Sequence, residues 1–232
     1  MQDEIHVWQA DLNLTEQDAS APFELLDEDE KARALRFTLP HLRTRFIAAH
    51  AFVRQVIGQA LGIPAECVRF DHTSHGKPYL LNDRELRFNL SHSADLAAMA
   101  IARNRELGID IEHRHELLDM LGVARRFFAP AEVSSLLATA PEKQAEAFFT
   151  FWTGKEAYVK ARGEGLAFPL ERFHVLPVEG SELLHLEVDG EPTESDRWRI
   201  TRFRLSESVF GALAAEALEC PTYFHVWKIL QS

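Results

Sequence analysis

The sequence predicts an α+β protein built from two similar halves, residues 1–107 and 108–232. Three observations predict it. Each half runs helical periodicities first and strand alternations later. Each holds one long helical segment followed by a glycine, Gly62 in the first half and Gly163 in the second. The 232 residues are 46% hydrophobic and 10% aromatic, enough for one large core or two small ones. No sequence repeat relates the halves; their likeness is one of order.

Ile5-His6-Val7-Trp8 reads as the first strand. Helices follow over residues 27–37 and 43–61, and in the second Phe46, Ala49, Phe52, Val53 and Ile57 share one face. Gly62 and Pro64 end it. Short strands are expected at Val68–Phe70 and Leu86–Leu90, with Gly76-Lys77-Pro78 as the turn between them. Leu96–Ala102 reads as a strand, Arg103–Arg105 as a turn and Glu106–Glu112 as the hairpin partner. The second half has helices near 117–127, 130–138 and 142–162. Strands are expected near 173–178, 183–188, 197–204, 209–215 and 222–229, with a polar loop over Val188–Asp196. Pro130 suits a first helical turn, although Ala129 stands where a Ser or Thr cap would be commoner. Gly154 sits inside a helix, where it costs about 1 kcal/mol relative to Ala or else permits close backbone packing.

Three carboxylates stand on faces where acids are costly. Leu107, Ile109 and Ile111 alternate with Gly108, Asp110 and Glu112. The alternation puts Asp110 and Glu112 on one face, about 6–7 Å apart. Ala145, Phe148, Phe149, Trp152, Glu156 and Val159 recur at helical spacings, so Glu156 lies on the apolar stripe. A buried carboxylate without a partner is costly or stays protonated. Lys160 lies one turn on and can pair with Glu156, whereas Lys155 points about 100° around the helix. A solvated acidic strand face would explain the first pair alone, and a Glu156–Lys160 pair at the core edge would explain the second segment. Together they point to an oxygen-ligand Mg²⁺ site. Trp152, Tyr158 and Phe149 read as core.

A net charge of −11 and a pI near 5.5 argue against nonspecific nucleic-acid binding. Residues 31–54 nonetheless carry Lys31, Arg33, Arg36, Arg43, Arg45 and Arg54 and no acid, which suits a local anion site. Cys67 and Cys220 match no metal spacing and read as ordinary thiols of a reducing compartment. Met1-Gln2-Asp3-Glu4 starts no apolar signal segment, and no apolar run reaches membrane-spanning length. A soluble, cytoplasmic protein without a membrane partner is expected.

Three motifs then resemble a known family. Phe88-Asn89-Leu90-Ser91-His92-Ser93, Gly108-Ile109-Asp110-Ile111-Glu112 and Trp152-Thr153-Gly154-Lys155-Glu156-Ala157-Tyr158-Val159-Lys160 occur in the order found in the Sfp-type 4′-phosphopantetheinyl transferases. Gly76-Lys77-Pro78, Arg125-Arg126-Phe127-Phe128 and Gly163-Glu164-Gly165-Leu166 add to the resemblance, which covers roughly residues 30–175. It implies a pseudo-twofold pair of halves with the active site in the cleft between them. The implied reaction moves the phosphopantetheine arm of coenzyme A onto a serine of an apo acyl or peptidyl carrier protein and releases adenosine 3′,5′-bisphosphate. Asp110, Glu112 and Glu156 are then the ligands of Mg²⁺, with Mn²⁺ as the alternative ion. Glu156 or a nearby water would deprotonate the carrier serine, and Lys160, less directly Lys155, would stabilise the transferring phosphate. By the same resemblance His92, Ser91 and Lys77 contact coenzyme A, and Arg45 and Lys31 hold its 3′-phosphate. Coenzyme A binding falls to residues 1–107, and metal binding and catalysis to 108–232. Residues 117–128 would face the carrier, with Arg125 and Arg126 as a basic patch for an acidic partner. Two fused halves suit a monomer. The rival readings are a non-catalytic coenzyme A or nucleotide-binding protein and a different metal-dependent phosphoryl enzyme. The second would need a two-metal cluster, and His72-x-x-His75 supplies no obvious third ligand.

Overall fold

Proline and glycine bracket the two longest helices of the computed structural model in the same way. Helix α3 (Pro40–Leu61) and helix α6 (Pro141–Arg162) each begin with a first-turn proline and end at a left-handed glycine, Gly62 at φ 69° and Gly163 at φ 75°. The structure describes residues 4–116, 119–165, 168–216 and 220–228. Leu117, Leu118 and Leu166, named above, and residue 229 of the last expected strand lie outside these.

The remaining elements are, in order, β1 (Ile5–Asp11), α1 (Ser20–Glu24), α2 (Glu28–Leu35), β2 (Phe70–His72), β3 (Pro78–Leu80), β4 (Leu86–Ser93), β5 (Leu96–Arg103) and β6 (Leu107–His113). Then come α4 (Met120–Phe127), α5 (Pro130–Ala138), β7 (Phe173–Pro177), β8 (Leu183–Val188), α7 (Glu194–Arg197), β9 (Trp198–Ser206), β10 (Val209–Glu216) and β11 (Thr222–Val226). The two larger sheets have the orders β11-β1-β5-β4 and β6-β10-β9-β8-β7, and β2 and β3 pair as a small two-stranded sheet. Their cores match: β1-β5-β4 with α3 has the same order as β6-β10-β9 with α6. The likeness of order in the sequence is therefore a likeness of topology, and the fold is α+β.

Strand alternation divides the interior into layers. On β5, Ala97, Met99 and Ile101 face α3 with Phe52, Val56 and Ile57. Ala98, Ala100 and Ala102 face the other way, against Leu107, Ile109 and Ile111 of β6. The two sheets thus bury a shared apolar layer between the halves, and small alanines let them approach. The expected alternation on β6 holds, so Gly108, Asp110 and Glu112 face α6.

Four expectations change. β5 and β6 are not a hairpin: β5 pairs with β1 and β4, while β6 pairs antiparallel with β10. The last strand, β11, leaves the second half and pairs in parallel with β1. Strand β4 runs on to Ser93, so Ser91, His92 and Ser93 lie on the strand itself. The loop over Val188–Asp196 also contains the start of the short helix α7, held where Glu194 accepts from Tyr158 Oη and Trp198 Nε1.

Side chains, and not a backbone ladder, stitch β4 to β6. Asn89 Oδ1 accepts the Ile109 N–H at 2.9 Å, Ser91 Oγ accepts Ile111 at 3.3 Å and Ser93 Oγ accepts His113 at 2.9 Å. Three alternate amides of β6 are satisfied this way.

Gly108 sets the spacing between β6 and α6. A Cβ there would lie 2.2 Å from the Ala157 carbonyl oxygen and 2.3 Å from the Ala161 nitrogen. Gly154 makes the corresponding approach on another face of α6, where a Cβ would meet Leu184 Cδ1 at 2.7 Å. Gly108→Ala is expected to push α6 off β6 and to destabilise the protein by about 1–3 kcal/mol. A urea titration reads this as a lower midpoint at unchanged slope.

Candidate active site

Because α6 lies directly on β6 at Gly108, the next residues along both elements converge. Asp110 and Glu112 of β6, Trp152, Glu156 and Lys160 of α6, and Leu90, Ser91 and His92 of β4 line one open cavity of about 330 Å³. The cavity lies where the two halves meet. Asp110 is 4% exposed, and His92 is exposed at the mouth.

Lys160 Nζ donates to Asp110 Oδ1 at 2.6 Å and to Ser91 Oγ at 3.1 Å. Ser91 Oγ donates to the same Asp110 oxygen at 2.8 Å, and Ser93 Oγ donates to Glu112 Oε2 at 2.9 Å. The ion pair expected between Glu156 and Lys160 is therefore made by Asp110 and Lys160 instead. Lys160 still favours an ionised Glu156, but through space.

The site is short of positive charge. Burial pushes the Asp110 carboxyl above its usual range, with Lys160 opposing the rise. Burial also raises Glu156, and repulsion from Asp110 and Glu112 adds to it. Asp110 Oδ2 is buried and has no hydrogen-bond partner among the described residues. An orphaned carboxylate oxygen beside two more carboxylates is the chemistry a hard divalent cation takes. The oxygen donors fit such an ion, and Asp110, Glu112 and Glu156 are the residues that could hold it. Among the described residues, however, no three His, Cys, Asp or Glu side chains are already gathered as a metal site.

Several expected residues lie elsewhere. Lys155 is fully buried and donates to Glu132 Oε2 and to the Phe173 carbonyl, both at 2.6 Å. It is a structural tie between α6, α5 and β7, not a member of the pocket. Glu132 completes that tie by accepting the Ala129 and Val175 amides, which also supplies the cap that Ala129 lacks. Lys77 reaches Glu106 at 3.1 Å and the carbonyls of Ala161 at 3.0 Å and Leu107 at 3.3 Å. It clamps the first half to the end of α6 and does not line the pocket. Burial lowers its ammonium from the usual lysine range, with Glu106 opposing.

The basic run is largely occupied too. Arg45 pairs with Asp95, Lys31 with Glu24 at 3.2 Å, and buried Arg54 with Asp27 and Glu30. Arg33 instead lines a second cavity of about 410 Å³ with His50, Phe70 and the carboxylates Asp27, Asp29, Glu30 and Asp71, and this cavity shares Leu90 with the first. Phe149 and Tyr158 are core, as expected, but Trp152 lines the pocket. Ser93 was legible only as a motif letter; its alternation with Ser91 on a strand running past Leu90 was the available signal.

Two family models divide the chain between them. One, described as "4'-phosphopantetheinyl transferase, N-terminal", matches residues 10–104, and the "4'-phosphopantetheinyl transferase superfamily" matches residues 106–214. The class defined by this fold and pocket is thus a group transferase. The 4′-phosphopantetheinyl transferase HetI of Nostoc sp. is 40% identical over 189 residues, covering 79% of each chain. The 4′-phosphopantetheinyl transferase Sfp of Bacillus subtilis is 31% identical over 162 residues, covering 65% of this chain and 71% of its own. The chain belongs to the 4′-phosphopantetheinyl transferase family, enzymes that take the phosphopantetheine arm from coenzyme A and act on carrier proteins.

Proposed function

We propose that transfer to the serine of an apo acyl or peptidyl carrier takes place in the Asp110–Glu112–Glu156 pocket. The observation that carries this is the buried, unpartnered Asp110 Oδ2 beside two further carboxylates and Lys160. Asp110, Glu112 and Glu156 would hold Mg²⁺, or Mn²⁺ in its place. Such an ion, when bound, offsets pyrophosphate charge and orients the β-phosphate. Lys160 offers its ammonium to the charge that develops on the transferring phosphate. Glu156, or a water beside it, takes the proton of the carrier serine.

His92 and Ser91 border the pyrophosphate end of coenzyme A. Residues 1–107 bind its nucleotide end, and the cavity that shares Leu90 with the pocket offers room for it. Arg45 and Lys31 would reach the 3′-phosphate only by leaving Asp95 and Glu24. Residues 108–232 supply the metal ligands and the base. Exposed Arg125 and Arg126 on α4 suit an acidic carrier. We take the working form to be a cytoplasmic monomer; the free Cys67 and Cys220 support a reducing compartment. No helix among the described residues is long and apolar enough to cross a membrane.

The test is incubation with coenzyme A, Mg²⁺ and a panel of apo-carriers, read by intact mass. The expected result is one phosphopantetheine arm on a carrier serine and release of adenosine 3′,5′-bisphosphate. No mass increase on any carrier, with Mg²⁺ or with Mn²⁺, overturns the reading.

A further inference from the structure

The three side chains that stitch β4 to β6 are not equivalent. Asn89 spends its carbonyl on the Ile109 amide. Ser91 and Ser93 each hold a β6 amide and also donate to an acid of the pocket. A hydroxyl has one hydrogen and two lone pairs. With the His113 N–H on one lone pair of Ser93, its hydrogen is directed at Glu112 Oε2, 2.9 Å away. This link ties Glu112 to the other half of the molecule, and among the described residues no other hydrogen bond holds the Glu112 side chain.

The position of Ser93 is itself fixed from both sides. Its neighbour Ala94 has φ 53°, a left-handed conformation that a non-glycine residue adopts only when its surroundings enforce it. The following residue, Asp95, is pinned by Arg45 of α3. The backbone of the hairpin turn thus sets where the hydroxyl sits.

We infer that Ser93 is a positioning residue for the transfer reaction: its hydroxyl, locked by the His113 amide, fixes one oxygen of Glu112 and leaves Oε1 as the oxygen offered to the pocket. Partners one step removed from a metal ligand typically contribute 10–100-fold to metal affinity or activity. The inference rests on the proposed reading of the pocket as a cation and pyrophosphate site.

The test compares Ser93→Ala, Ser93→Thr, Asn89→Ala and Glu112→Gln, each at a temperature where circular dichroism shows it folded. Transfer is followed at varied coenzyme A and Mg²⁺, and Mg²⁺ binding in the presence of coenzyme A is measured separately by calorimetry. Ser93→Ala is expected to weaken Mg²⁺ binding and lower kcat about tenfold each, with the KM for coenzyme A changed less than about twofold. Ser93→Thr keeps the hydroxyl and is expected to restore most of both. Asn89→Ala cuts a stitch of the same seam without touching an acid, so it should lower stability and leave Mg²⁺ affinity unchanged. Unchanged Mg²⁺ affinity and kcat in Ser93→Ala would overturn the inference, as would an equal loss of Mg²⁺ affinity in Asn89→Ala. Wild-type transfer by Glu112→Gln would instead remove the reading of the pocket on which it rests.

Discussion

Asp110→Ala is expected to reduce transfer by on the order of a hundred- to a thousand-fold, the loss usual for one preorganised electrostatic group. It should barely move the thermal midpoint. Asp110 is 4% exposed, one of its oxygens is unpartnered, and burial raises its carboxyl above the usual range. A raised carboxyl marks an ionised form that the fold disfavours at neutral pH, so removing it relieves the folded state of a burden. Lys160, which loses its partner, is part-exposed and can turn to Ser91 or to water. Function and stability therefore separate at this residue. The check is a loading assay beside a melting curve. Full transfer with Mg²⁺ by the variant would sink the assignment of Asp110 as a ligand.

Lys155→Met should show the opposite pattern. Lys155 and Glu132 are both 0% exposed and paired at 2.6 Å. Removing one partner of a buried pair leaves the other uncompensated and costs about 3–5 kcal/mol. For a chain of this size that lowers the melting temperature by roughly 10 °C. Transfer per folded molecule should stay near wild type, because Lys155 does not line the pocket. Adding Glu132→Leu should recover part of the loss but not all of it, since Glu132 also serves the Ala129 and Val175 amides. A Lys155→Met enzyme that melts normally but fails to transfer would return this lysine to the chemistry.

These two residues show what the sequence makes legible. Strand alternation put Asp110 and Glu112 on one face, and helical spacing turned Glu156 inward; both follow from local periodicity alone. The same spacing set Lys155 apart from Lys160, but its partner Glu132, twenty-three positions away, left no local trace. Lys77 is a similar case, because its clamp on the Ala161 carbonyl spans eighty-four positions. The false hairpin of β5 and β6 has the same origin. A turn at Arg103–Arg105 is written locally, whereas the pairing of β6 with β10 depends on residues near 209–215. Motif order identified the pocket residues because it records what periodicity cannot, the meeting of separate segments. It did not separate the lysine at the pocket from the lysine in the core.

The return of β11 to β1 has a consequence for synthesis. Ile5 is registered against Thr222, and Trp227 donates to Gln55 from beyond the last strand. A ribosome must release the chain as far as residues 222–226 before the first strand gains its outer neighbour. Until then β1 carries an open edge and the α3 core lacks Trp227. The first half to emerge is thus closed only after the second, once residues 222–227 have left the exit tunnel.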